Sequence, residues 1–448
     1  MLNKKYYILL VFAFVMLIPT FASAQTQLQV VNTFSPYTMY GLGELQTQGT
    51  LQTRSMGGAG VAQRSPSSIN LLNPASYSMA IRRGVLFDFG LEGSSYFSTQ
   101  NVGDVERNST YTTANFHDIA LQLPIVEGLG FGFSVTPYSS VGYYQSYASI
   151  DPSLGYLKMI NTGSGDITEV KFGVGWIVAK NLSIGFAAQY YWGSIDRYFT
   201  AEITSITTSG TALSTVGDDN ISVSKLKGQA GVQWSPIYDA KRMLTIGATY
   251  DIGGELSPRS TRVVTALDYS SDVYAQSDTT TISMVLPRQL SLGLNYSTSK
   301  WVVAADYTFQ NWGDNNDDIE FTGTGVEVAY NNVSTIKMGL EYTPRRTDSR
   351  HYYRRINYRM GARMGGYQYT FGGEELSTLS ITAGAGLPIN LVGISKIDLG
   401  VEWGTMGTTK SILVDSESVG LVKQNQIKFS LGFTLFGDDY WFQRPQIN

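Results

Sequence analysis

Hydrophobic and polar residues alternate one for one in about 14 separate stretches between Val85 and Phe436. Val170, Phe172, Val174 and Trp176 alternate with Glu169, Lys171, Gly173 and Gly175. Ile336, Met338, Leu340 and Tyr342 alternate with Lys337, Gly339 and Glu341, and Ile427, Phe429, Leu431, Phe433 and Leu435 with Lys428, Ser430, Gly432 and Thr434. Successive side chains of a strand point to opposite faces, so each stretch has one apolar and one polar face. The pattern predicts strands over 85–97, 112–123, 129–141, 167–178, 182–199, 221–234, 243–255, 283–297, 300–310, 333–343, 355–371, 378–387, 395–406 and 425–436. Short connections alternate with long polar ones at 98–111, 142–166, 200–220, 256–282, 311–332 and 407–424. An even strand count with this rhythm describes an all-β, closed antiparallel transmembrane barrel, lipid outside and a polar lumen within. Both termini then lie at the short-turn, periplasmic end.

The start of the chain fits export to such a membrane. Lys4 and Lys5, the apolar run Tyr6 to Ile18 and the small residues Ala22-Ser23-Ala24 read as a secretory signal over 1–24. The segment 25–80 does not alternate and reads as a plug. The barrel spans 81–436, and 437–448 forms a short periplasmic tail. Localisation in a cell outer membrane follows.

Composition narrows the function. With 47 glycines, 29 tyrosines and only 15% charged residues, the chain suits lipid-facing strands with aromatic girdles. There are no cysteines, hence no disulfide and no thiolate metal site. Losing Lys4 and Lys5 with the signal leaves 30 basic against 36 acidic residues, which argues against nucleic acid as a partner. Two histidines, His117 and His351, offer no placed catalytic constellation, and His117 and Asp118, as strand neighbours, should face opposite ways. No enzyme, cofactor or metal is expected. The outer-membrane lipid is one expected partner; the others are a small hydrophobic ligand or envelope proteins.

Several features carry a second reading. Gly90, Gly130, Gly132, Gly173, Gly175, Gly185, Gly247, Gly293, Gly339, Gly361, Gly400 and Gly432 share the inward parity. They serve either barrel curvature or the close approach of another backbone, for which 25–80 is the natural source. Inward charges of both signs should pair with one another and pin that segment. Trp176, Trp192, Trp234, Trp301, Trp312 and Trp403 are expected at the lipid–water boundary. The acidic run 314–320 is a solvated loop or a calcium site. Arg345, Arg346, Arg350, Arg354 and Arg355 form either a headgroup contact or a docking patch for an acidic periplasmic partner.

Met56-Gly57-Gly58-Ala59-Gly60-Val61-Ala62 followed by Asn73-Pro74-Ala75 resembles the start of the FadL/TodX family of outer-membrane transporters. The resemblance implies an N-terminal hatch, shaped by Met56, Gly57, Gly58, Gly60, Asn73, Pro74 and Ala75, inside a 14-stranded barrel. It implies passive uptake of small hydrophobic or amphipathic compounds. It also implies a kinked third strand with a lateral opening. Here Pro137, which lacks an N–H, either makes that opening or ends the membrane part of the strand near its rim. Relatives with the same signature serve as barrel subunits of protein-secretion systems, so the alternative function is a membrane-embedded barrel subunit of a protein-secretion or outer-membrane assembly complex.

Overall fold

A computed structural model describes residues 33–81, 84–103, 105–151, 155–204, 212–239, 241–267, 273–281, 284–313, 326–348, 350–389, 395–414 and 417–438. The expected signal 1–24, the acidic run 314–320 and the residues after Asp438 lie outside them. The alternating stretches form β1 (Gly84–Val102), β2 (Val105–Val126), β3 (Leu129–Asp151), β4 (Gly155–Ala179), β5 (Leu182–Thr204), β6 (Ala212–Tyr238) and β7 (Arg242–Asp251). These continue as β8 (Arg288–Thr298), β9 (Trp301–Asn311), β10 (Val333–Tyr342), β11 (Asn357–Phe371), β12 (Glu374–Pro388), β13 (Lys396–Gly407) and β14 (Val422–Asp438). Each strand pairs antiparallel with the next, and β1 pairs with β14 from Gly84↔Asp438 to Gln100↔Val422, closing a 14-stranded barrel. Closure of β1 on β14 removes the two terminal edges of the sheet, which is what a sheet in lipid requires. No described helix is long and apolar enough to cross a membrane.

The two faces sort as the alternation predicts. On β4 Phe172, Val174 and Trp176 are exposed on the outer wall, while Glu169 and Lys171, on the opposite parity, are buried inside. The strands run further than the alternation. The stretches 98–111 and 142–166, expected as loops, continue as paired strand to Val102↔Val105 and Asp151↔Gly155. Arg259–Leu267 and Val273–Thr281 form a hairpin, and its first strand extends the wall beside β6. Alternation fades where lipid ends, because no apolar outer face is needed in water, but the backbone ladder persists.

Two further expectations are corrected. Trp312 is fully buried and stacks on Tyr330 at 5.6 Å; the other five tryptophans face outward. A bulge in β2 opposite Gly90/Leu91 leaves His117 as the extra residue, so His117 and Asp118 are both buried and pair with each other instead of facing opposite ways.

Candidate functional site

Residues 33–81 lie against the inner wall. The fit is set by glycines on the wall: a Cβ at Gly361 would stand 2.2 Å from Gly57 N, at Gly231 2.2 Å from Asn73 Oδ1, and at Gly185 2.3 Å from Ala75 N. Gly130, Gly175, Gly247 and Gly339 meet the backbone of Tyr77, Pro74, Val61 and Met56 in the same way. Most of the inward glycines therefore mark a track where another backbone passes; Gly90 is different and accommodates His117. Gly57 itself has φ +70 and faces the carbonyls of Ala362 and Met338, so no side chain fits there.

Polar groups fix the segment in place. Asn73 caps the 3-10 turn Pro74–Met79 by accepting from Ala75 N, and its amide donates to the carbonyls of Val61 at 2.9 Å and Val232 at 3.2 Å. Pro74 starts that turn at a position where a missing N–H costs nothing. Asp306 on β9 accepts from the N–H groups of Gly60 at 2.6 Å and Val61 at 2.9 Å. Gly57 N donates to Thr382 Oγ1 at 2.9 Å. Arg54 pairs with Glu92, which also faces Lys428 at 3.4 Å. Arg64 reaches Ser183, Ser235 and the carbonyl of Asn181. The mixed-sign lumen charges pair along the wall too: Arg359 with Glu341 and Asp398, Arg363 with Glu402.

One seam of the wall is different. β2 and β3 pair only from Val126↔Leu129 to Ile119↔Val135. Beyond Val135, β3 leaves β2, and a bulge against β4 falls between Pro137 and Ser139. The freed edge takes the N-terminal segment as its new partner. Ser139 and Ser140 pair with Leu45 and Glu44, Gln46 N donates to Tyr138 O at 2.8 Å, and Gln48 donates to Pro137 O at 2.8 Å. Pro137 thus sits where the wall parts, and its missing N–H suits a residue leaving a ladder. Arg54, Glu92, Thr113, Asn115 and His117 line a small recess at this seam together with Gln46, Thr47 and Pro137. Sequence reading singled out neither Thr113 nor Asn115, and it did not bring Arg54, Glu92 and His117 to one seam, because these residues come from segments far apart in the chain.

Gln46 and Thr47 also line a central cavity of about 260 Å³. Its wall is mixed: Gln189, Gln229, Gln289 and Gln310 face it beside Glu169, Lys171 and Lys337, with Leu45, Leu72, Ile252 and Val333 among them. On the long-loop side the lumen turns apolar. Tyr37, Met39, Tyr40 and Leu42 pack there with Ile167, Ile195, Ile221, Tyr369 and Phe371. Tyr37 OH donates to Val422 O at 2.7 Å and Arg197 donates to Gly41 O at 2.6 Å, tying this core to the wall. Lengthening of the inward alternation into Ile167, Ile195 and Ile221 was its only trace in the sequence.

At the opposite end the connection between β10 and β11 is an ordered arginine-rich turn. Asp348 Oδ1 accepts from the N–H groups of Arg350 and His351 at 2.9 Å each, and Oδ2 from Arg354 at 3.2 Å. The N–H of His351, with Arg350 and Arg354 behind it, holds the Asp348 carboxyl down to about 2. Arg354 and Arg355 lie over the rings of Tyr353 and Tyr352, and Arg345 and Arg346 are exposed.

A family model described as BamG matches residues 4–448. Among solved structures, the toluene transporter TodX of Pseudomonas putida is similar at TM-score 0.57 and 15% identity, over 87% of this chain and 99% of that one. A FadL homologue of Pseudomonas aeruginosa reaches TM-score 0.61 at 12% identity, over 89% and 100%. The CymD monoaromatic hydrocarbon channel matches at 0.57 and 14%, over 88% and 98%. No curated protein matches the chain. At these identities the likeness establishes the FadL/TodX barrel fold.

Proposed function

The chain belongs to the BamG family, and we propose that it is an outer-membrane barrel for passive uptake of small hydrophobic or amphipathic compounds. In this reading 1–24 is the export signal, 25–80 the hatch and both termini are periplasmic. The barrel has no catalytic role. The carrying observation is the seam at which β3 leaves β2 and pairs with the N-terminal segment. It supports a lateral opening at Pro137, joined through Gln46 and Thr47 to the central cavity. Two structural neighbours are a toluene transporter and a monoaromatic hydrocarbon channel, which agrees with an apolar cargo. The polar lining at Arg54, Glu92 and His117 favours molecules that also carry a polar end. Entry of the dye N-phenylnaphthylamine into intact cells tests this. Asn115→Trp should fill the recess and slow entry severalfold while the barrel still folds. Equal rates would reject the lateral route.

A second reading is a membrane-embedded barrel subunit of a protein-secretion or outer-membrane assembly complex. The observation favouring it is the apolar core around Tyr37, Tyr40 and Phe371, which closes the lumen at the long-loop end and leaves the barrel to act through its surface. Extraction from the native membrane in mild detergent separates the two. A lone barrel carrying an amphiphile supports uptake; a stoichiometric complex with envelope proteins and an empty lumen supports the subunit.

A further inference from the structure

The turn 343–356 stands apart from the other short-end turns in charge and in the hydrogen bonds that hold its described residues. Arg345, Arg346, Arg350, Arg354 and Arg355 fall within eleven residues, in a chain whose formal charge is −4. The only carboxylate in the turn, Asp348, is buried and spent on the turn's own N–H groups and on Arg354. Glu341, which faces Arg346 at 3.7 Å, is buried below it. Exposed Lys300 of the neighbouring turn adds to the field, since Thr343 N donates to Lys300 O at 2.8 Å.

The turn is also rigid by construction. Arg345 N donates to Arg354 O at 2.7 Å, closing the base, and Tyr352 OH donates to Pro388 O at 3.0 Å, bracing the turn against the end of β12. Tyr358 OH donates to Tyr353 O at 3.0 Å. Trp301 and Tyr342, with ring centroids 4.2 Å apart, mark the end of the barrel wall just before the turn. A fluid layer of headgroups is attracted by charge alone and needs no fixed geometry. Arginines spaced by a braced backbone instead suit carboxylates carried on one chain, which guanidinium groups bind in a bidentate way.

We propose that the Arg345–Arg355 turn is a docking surface for an acidic segment of a periplasmic protein. Exposed Arg345, Arg346 and Arg350 make the contact, and Asp348, Arg354 and Arg355 hold the turn in shape. This is independent of the uptake reading, because the turn shares no residue with the seam or the cavity.

The test uses the full chain folded in detergent and a fluorescent peptide of alternating glutamate and glycine as probe, read by anisotropy. Saturable binding that weakens with added salt is expected. The triple reversal R345E/R346E/R350E should weaken it by about tenfold or more. Reversal of Lys180 and Lys241, in other short-end turns, should change it by less than about twofold. Heat-modifiable gel mobility checks that each variant remains a folded barrel. In nanodiscs of phosphatidylglycerol the peptide should still bind. Absent binding, equal loss in the two reversals, or displacement by phosphatidylglycerol would overturn the proposal, the last by assigning the patch to lipid headgroups.

Discussion

At the level of single residues, glycine placement decides how the lumen is filled. Gly361 and Gly366 lie on the same strand, yet a Cβ at Gly361 meets Gly57 N at 2.2 Å and one at Gly366 meets nothing within 4 Å. Gly361→Ala should therefore cost about 1–3 kcal/mol through overpacking, while Gly366→Ala should be nearly neutral. Urea midpoints of the two variants in lipid vesicles would check the difference. Asn73 works by satisfaction of partners instead. Asn73→Ala removes a cap and one donor to the carbonyls of Val61 and Val232, although Val61 O keeps Gln233 Nε2. A loss of about 2 kcal/mol is expected by the same measurement. The inward parity of these glycines was readable in the sequence. What each one faces was not, because the partner lies far away in the chain, as Gly57 does from Gly361.

At the level of elements, alternation located all the membrane-crossing strands and misjudged their outer ends. It reports the lipid-facing side, so it is silent where a paired ladder continues in water, as from Thr99 to Val102 against β2. It also misplaced Trp312, which follows β9 directly but turns into the apolar core at the long-loop end. The His117 bulge escaped because one extra residue shifts facing without altering composition. The arginine turn was legible as charge but not as structure, since its order depends on Asp348. Because the folded turn lowers the Asp348 pKa, its contribution is full above the ordinary carboxylate range and is lost as pH falls towards about 2. Tryptic cleavage within Arg345–Arg355 at neutral pH should thus be slow in the native chain and several times faster in Asp348→Asn. Pepsin cleavage beside Tyr352 and Tyr353 should rise in the native chain only as pH approaches 2. Indifference of both proteases would show that Asp348 does not organise the turn.

For the whole molecule, an N-terminal segment does two jobs at different heights in one barrel. Its later part, Leu51 to Met79, is fixed by backbone contacts with wall glycines and by buried polar pairs. Its earlier part, Ser35 to Gln48, gives β3 the partner that β2 withholds and supplies the aromatic side chains that close the long-loop end. These two parts should therefore fail differently. Removing 25–80 takes away both closures and should turn a non-conducting barrel into a leaky one in planar bilayers. Removing only 33–48 leaves the lower contacts intact but strips β3 of its substitute partner and the outer core of Tyr37, Met39, Tyr40 and Leu42. That variant should stay closed to ions along its axis while dye enters intact cells faster through the widened seam. If the shorter deletion conducts as well as the longer one, closure resides in the aromatic cap alone. If neither conducts, the wall strands themselves close the lumen, and the N-terminal segment serves to brace the barrel rather than to gate it.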